Sequence, residues 1–388
     1  MCTKVHTPSA PPSLPRLFLT ERGGQDRIKS LGMPPYRDVH RTVKEEPLDL
    51  SAITAPVQDE LDATRAFLGE KLASAFDMFA HISHWMVGRQ GKLLRPTVFF
   101  LSARSFGETT HEHVALAGAL ELIHAGSLAH DDVIDVAGLR RQAATIRARW
   151  GDTIAVLYGD FLLARAFAVL SATPLETARR LAPPLVTQVI EGEAMQHQAR
   201  HDLDLSQADY IDIVRRKTAS LFAAASRIGG ASAGADEADQ ARLLTYGTEL
   251  GVAYQILDDI LDLTASEEET GKTVGTDLRS GRFTLPILLL RDALPGEEVR
   301  DKIRRAAEND DAPALEELIR LAAESGALSA AAGEAMQRLD AAAESVAGLP
   351  ESACRRHLTE LATHLKARVE RAARSCCAAA PVAGPSSR

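Results

Sequence analysis

From residue 46 to about residue 375, apolar residues return at the i, i+3, i+4 spacing of a helix face, with sparse punctuation between them. No run alternates apolar and polar positions as a half-buried strand requires. Pro96 predicts a helix start, because a proline in the first turn sacrifices no hydrogen bond. Pro174, Pro183-Pro184, Gly229-Gly230, Pro286, Pro295 and Pro350 predict breaks between helices. The pattern gives an all-α fold, with a single large helical domain over residues 46–375. Residues 1–45, rich in Pro, Ser, Gly and Arg without helical periodicity, read as a flexible extension, and 376–388 as a disordered tail.

Composition agrees with packed helices, since 45% of residues are apolar and only 5% aromatic. The formal charge, 44 − 53 = −9, leaves no footprint for nucleic acid. Cys2, Cys354, Cys376 and Cys377 stand in no metal-ligand spacing and form no disulfide framework, as expected in a reducing cytoplasm. Residues 1–30 lack the apolar core of a secretory signal. Asp160 and Arg165 interrupt 153–171, and Glu121 and His124 interrupt 114–129, so no segment offers the roughly 20 apolar residues of a membrane span. A soluble protein without a transmembrane segment is expected.

The strongest chemical signal is Asp131-Asp132-Val133-Ile134-Asp135, ending the helix-like stretch 114–135. It returns as Asp258-Asp259-Ile260-Leu261-Asp262 at the end of 240–263. Residues i and i+4 share a helix face, so Asp131 projects with Asp135, and Asp258 with Asp262. Like charges at that spacing repel, and they oppose the macrodipole of a helix C-terminus. A sequence that accepts this twice points to a compensating cation. Hard carboxylate oxygens suit magnesium, which completes its shell with water and substrate phosphates. One such motif alone would read as a solvated helix end; the repeat argues otherwise.

Anionic substrates also need basic side chains. Lys92 and Arg95 lie three residues apart in Gly91-Lys92-Leu93-Leu94-Arg95-Pro96, and Arg140-Arg141 follows the first aspartate motif by a short loop. Lys217-Thr218 falls in another helical stretch, and Lys272 follows the second motif. Arg offers phosphate a bidentate fork and Lys a point charge.

These motifs, with Leu122-Ile123-His124, Gly159-Asp160-Phe161-Leu162, Gly192-Glu193, Gln255-Ile256-Leu257 and Gly281-Arg282-Phe283-Thr284-Leu285-Pro286, resemble the trans-isoprenyl diphosphate synthase (polyprenyl synthetase) family over about 88–290. The resemblance implies a helical bundle of isoprenoid synthase type around a central active-site cavity. It implies a magnesium-dependent condensation of isopentenyl diphosphate with an allylic diphosphate, and a homodimer. Asp131, Asp132 and Asp135 would hold two magnesium ions against the allylic diphosphate. Asp258 would hold a third, supported through water by Asp259 and Asp262. Asp131, Asp132, Asp135, Asp258 and Lys217 would carry catalysis. Arg140, Lys217 and Lys272 would contact the allylic diphosphate, and Lys92, Arg95, His124 and Arg141 isopentenyl diphosphate. Thr218 and Gln255 would line the pocket where the cation forms. The chain departs from many members in carrying Arg282 in place of Lys.

The resemblance also frames product length, because the growing tail would run along the helix upstream of Asp131. Gly126 and Ser127 stand where short-chain members put an aromatic residue, which predicts a long product of six to ten isoprene units. Close approach of a neighbouring helix is the other reading of Gly126. Ile123, Leu120 and Phe167 are candidates for the tunnel floor, and 264–283 for a lid. Release of a long product implies transient membrane contact. The rivals are a short-chain (geranylgeranyl or farnesyl) diphosphate synthase, a class I terpene cyclase and a non-catalytic partner subunit. The second motif lacks the cyclase Asn/Asp…Ser…Glu pattern, and a partner subunit has no need of all six aspartates.

Overall fold

Helical spacing becomes helix almost throughout the residues that the computed structural model of the chain describes: 50–87, 91–140, 143–264, 274–309 and 311–379. At the centre lies the helix Leu94–Arg104, buried on every side from Pro96 to Ala103. A helix that is buried all round belongs to a core, not a surface. Ser220–Ser232 crosses it and is nearly as buried. Phe99, Phe100 and Phe222 are fully enclosed there. Each such side chain contributes about 1.5–3 kcal/mol through burial.

Around this pair stand Gln58–Lys71, His111–Ile134, Asp152–Ala172, Glu176–Gln198 and Glu237–Thr264. The first turn of His111–Ile134 is fixed by a capping box, in which Thr110 N–H donates to His113 Nδ1 at 3.0 Å. Leu285–Ala293, Glu297–Glu308, Ala312–Glu324, Ala327–Val346 and Ala353–Ala379 complete the bundle. Tyr246 O–H ties Glu237–Thr264 to the last of these by donating to Leu358 O at 2.8 Å.

Two expected breaks are absent. Gly229-Gly230 lies inside Ser220–Ser232. A Cβ on Gly229 would overlap the carbonyl oxygen of Phe99, so the glycine serves the crossing of the two central helices. Pro183-Pro184 lies inside Glu176–Gln198. The missing N–H groups weaken that helix locally, but Ala182, Leu185, Val186 and Val189 on it are buried, and packing overrides propensity. Pro96 is the third residue of its helix, within the turn whose N–H groups have no intrahelical acceptor. Strand among the described residues is confined to Leu139–Arg140 paired antiparallel with Ala143–Ala144, a hairpin too short for periodicity to reveal.

Among the described helices, Asp152–Ala172 alone is long and apolar enough to cross a membrane, its two interrupting charges notwithstanding. Val156, Leu157 and Phe167 on it are exposed.

Candidate active site

The aspartate motifs close the helices His111–Ile134 and Glu237–Thr264. Asp135 caps the first, its N–H on Asp131 O at 2.8 Å. Two side-chain bridges join the motifs. Lys217 Nζ lies 3.7 Å from Asp131 Oδ2. The next residue, Thr218, donates through Oγ1 to Gln255 Oε1 at 3.0 Å, one turn ahead of Asp258 and Asp259. In the second bridge, Arg282 reaches Asp135 Oδ2 at 2.6 Å and Asp277 Oδ1 at 2.8 Å. Asp277 N–H then donates to Asp262 Oδ2 at 3.0 Å. Side chains thus link the two acidic helix ends.

Local backbone sets this geometry. Lys217 and Thr218 sit in a π-helical turn, Arg215–Ala219, between Gln207–Val214 and Ser220–Ser232. Such turns recur at functional sites because they re-aim side chains out of the α register. Glu176–Gln198 presses on this turn through Gly192, where a Cβ would stand 2.8 Å from Lys217 Cα. The following Glu193 is in charge contact with Lys217, without hydrogen-bond alignment. Lys217 Nζ donates to Gln196 Oε1 at 2.6 Å.

Among the described residues, three non-glycines adopt the left-handed region: Leu93 (φ 49°), Val136 (φ 54°) and His201 (φ 61°). Each directly follows a charged residue of interest: Lys92, Asp135 and Arg200. For leucine and a β-branched valine this conformation is strained, and such strain collects at functional sites.

The carboxylates of the first motif are covered by bases. Asp132 is buried and accepts from Arg140 Nε at 2.8 Å. Burial raises its carboxyl, with Arg140 opposing. Asp135 is shared between Arg282 and Arg200. Burial pushes Asp131 up to about 6, with Lys217 opposing and Glu193 reinforcing. Burial works against the Arg282 charge, but Asp277 and Asp135 outweigh it and raise its pKa. Among the described residues, no three His, Cys, Asp or Glu stand close enough to hold a metal as they lie. The donor set nevertheless fits a hard divalent ion: neighbouring carboxylates, two of them held at a raised pKa, each leaning on a base that a phosphate oxygen can take over.

The helical bundle finds counterparts. A family model described as polyprenyl synthetase matches residues 77–322. The chain belongs to the polyprenyl synthetase family. An all-trans-nonaprenyl-diphosphate synthase (geranyl-diphosphate specific) from Rhodobacter capsulatus is 36% identical over 310 residues, covering 80% of this chain and 95% of that one. Heptaprenyl diphosphate synthase component 2 from Geobacillus stearothermophilus is 35% identical over 321 residues, covering 82% and 98%. The crystal structure of a polyprenyl synthase from Caulobacter crescentus, complexed with calcium and isoprenyl diphosphate, superposes with a TM-score of 0.78. It is 33% identical and covers 85% of this chain and all of that one. The protein is thus a prenyltransferase with the all-α isoprenoid synthase fold.

Within this synthetase the residues read from sequence fall as follows. Asp131, Asp132, Asp135, Asp258, Asp262, Arg140, Lys217, Thr218 and Gln255 are joined by the contacts above or adjoin them in the same helix turns. Asp258 is exposed. Arg95 is half-buried with its guanidinium carbon 4.6 Å from the Phe222 ring centre, Lys92 is exposed and His124 half-buried. Arg141, Lys272 and residues 265–273 of the expected lid lie outside the described residues. A Cβ on Gly126 would stand 3.2 Å from both Gly159 O and Leu163 Cγ, so that glycine serves helix packing. Ser127 is half-buried, and Ile123 and Leu120 are each 1% exposed. Phe167 is 41% exposed. Sequence reasoning assigned no role to Glu193, Arg200 or Tyr210. Of these, only Glu193 left a trace, as part of the Gly192-Glu193 motif.

Proposed function

We propose that this synthetase extends an allylic diphosphate with isopentenyl diphosphate repeatedly, to a long-chain polyprenyl diphosphate. The observation that carries the reading is the joining of both aspartate motifs through Lys217-Thr218 to Gln255 and through Arg282 to Asp277. The allylic carbon–oxygen bond breaks, diphosphate departs with the electron pair, and the isopentenyl double bond attacks the cation. A proton then leaves the new chain for the released diphosphate. Asp131, Asp132, Asp135, Asp258 and Asp262 would hold Mg2+, three ions per site, which would neutralise the charge on the leaving group. Arg140, Lys217, Lys272, Arg200 and Arg282 bind and orient the allylic diphosphate. Lys92, Arg95, His124 and Arg141 bind isopentenyl diphosphate. The Thr218 hydroxyl and Gln255 amide present oxygen to the cation, and preorganised dipoles of this kind act strongly once water is excluded.

Two copies of the chain pair through the apolar face of Asp152–Ala172. Its exposed Val156, Leu157 and Phe167, with Ile190 on Glu176–Gln198, are the large side chains such an interface would cover. Mass spectrometry of products from the purified chain alone, with isopentenyl diphosphate and farnesyl diphosphate, tests the proposal. A polyprenyl series that disappears on chelation supports it. No product without a second polypeptide, or a cyclised product without isopentenyl diphosphate, refutes it.

A further inference from the structure

The resemblance sets Asp259 beside Asp258 as a support for the metal site, but its contacts run elsewhere. Asp258 is exposed, whereas Asp259 is 2% exposed. Asp259 Oδ2 accepts from the Tyr210 hydroxyl, and Oδ1 accepts from Gln255 Nε2 at 2.8 Å. Tyr210, 5% exposed, lies on Gln207–Val214, the helix that leads into the π-helical turn. The order of contacts is Tyr210, Asp259, Gln255, Thr218, and it ends one residue from Lys217.

The direction of these bonds follows from chemistry. Burial and the neighbouring Asp277 raise the Asp259 carboxyl, but its Oδ1 faces Gln255 as an acceptor in either form, while Oδ2 meets the Tyr210 hydroxyl. Gln255 must therefore turn its NH2 toward Asp259. Its carbonyl oxygen is then forced to the opposite side, where Thr218 meets it at 3.0 Å. A glutamine left to itself has no such preference, because its two ends are nearly the same in shape. Outward NH2 would aim a positive dipole at a developing cation; outward oxygen aims a negative one.

We infer that Asp259 and Tyr210 are positioning residues for prenyl transfer, fixing the Gln255 amide with its oxygen toward the allylic cation. This rests on the prenyl-transfer reading above. Asp259→Asn reverses the logic: the Tyr210 O–H holds the one remaining side-chain oxygen, so the introduced NH2 faces Gln255, donates to its Oε1 and turns the glutamine NH2 outward. Adding Gln255→Glu restores an oxygen on the outer side, because a carboxylate accepts at both ends. The removed dipole predicts a fall in kcat of about 10²-fold for Asp259→Asn, and the double variant should recover about 10-fold or more of it. A residue acting only on the reacting cation leaves allylic KM within about twofold.

The test measures kcat, allylic KM and, by electron paramagnetic resonance with inorganic pyrophosphate present, Mn2+ affinity of each variant. Loss of kcat with Mn2+ affinity held, and recovery in the double variant, support the inference. Mn2+ affinity falling in step with kcat, or no recovery, overturns it by making Asp259 a ligand or a plain structural group. Should Asp259→Asn fail to fold, Tyr210→Phe carries the test: kcat lowered about 10-fold with Mn2+ affinity held supports the inference, and unchanged kcat overturns it. A wild-type protein that elongates nothing defeats the prenyl-transfer reading itself, and this inference with it.

Discussion

Arg282 donates to Asp135 at 2.6 Å while also holding Asp277, so one guanidinium spans from the first acidic helix end to the segment tied to the second. Arg200 occupies the other oxygen of the same carboxylate. With Asp277 counted, two carboxylates balance the two guanidinium groups. A diphosphate that takes over either guanidinium frees an oxygen of Asp135. Arg282→Gln and Arg200→Gln should each raise the allylic KM about 10-fold, the loss of one charge-assisted hydrogen bond of about 1.5 kcal/mol. The KM for isopentenyl diphosphate should stay put. Steady-state kinetics with each substrate varied in turn check this, and equal rises in both KM values would count against a specific role.

Gly192 lets Glu176–Gln198 rest on the π-helical turn. In Gly192→Ala the new methyl would stand 2.8 Å from Lys217 Cα and 2.9 Å from Arg216 Cβ. Neither atom can yield cheaply, so the turn must shift and carry Lys217 and Thr218 with it. Overpacking of this kind costs about 1–3 kcal/mol of stability. A displacement near 1 Å at the site lowers kcat by about 10²-fold. Urea denaturation and turnover, measured on the same preparation, test both halves.

His113 gives the fold a pH dependence. Burial lowers its pKa, and its Nδ1 accepts the Thr110 N–H in the capping box, which needs an unprotonated nitrogen. The folded imidazole therefore binds its proton at lower pH than the unfolded one, whose value is about 6.5. Below that value the unfolded state takes up more protons, so stability present at higher pH is lost as pH falls. His113→Gln keeps a capping-box residue and removes the titration. Its melting temperature should fall less than the wild type's between pH 7 and pH 5. Parallel melting curves would contradict this.

Product length offers a cleaner probe at Ser127 than at Gly126. A side chain at 126 would strike Gly159 and Leu163 before it reached any substrate. Ser127 is half-buried, with Oγ bonded to His124 O at 2.9 Å in its own helix. Ser127→Phe should shorten the longest product by two or more isoprene units, since one helical turn is about 5.4 Å. Mass spectra unchanged from wild type would remove Ser127 as a gate.

The acidic pairs are legible because i, i+4 repulsion is a local cost visible in five residues, and it occurs twice. Helix type is legible for the same reason of locality. The contacts that finish the site are not local. Arg200 reaches Asp135 across 65 residues, and Tyr210 reaches Asp259 across 49. No spacing rule links such positions. Asp259 reads with its neighbours as a helper of the metal, since sequence cannot say which of two adjacent aspartates turns inward. Gly229-Gly230 and Pro183-Pro184 read as breaks because their propensities are local, while the packing that overrides them comes from Phe99 and from the buried face of Glu176–Gln198. The π-helical turn at Lys217 leaves no local mark either.

The central claim is that both acidic helix ends serve one divalent-ion and diphosphate site. It is tested most directly by titrating Mn2+ into the metal-free protein with and without inorganic pyrophosphate, for the wild type, Asp131→Ala and Asp258→Ala. Tight binding should require pyrophosphate, and either substitution should weaken it. Binding that ignores pyrophosphate, or that survives intact when Asp258 is replaced, would contradict the account.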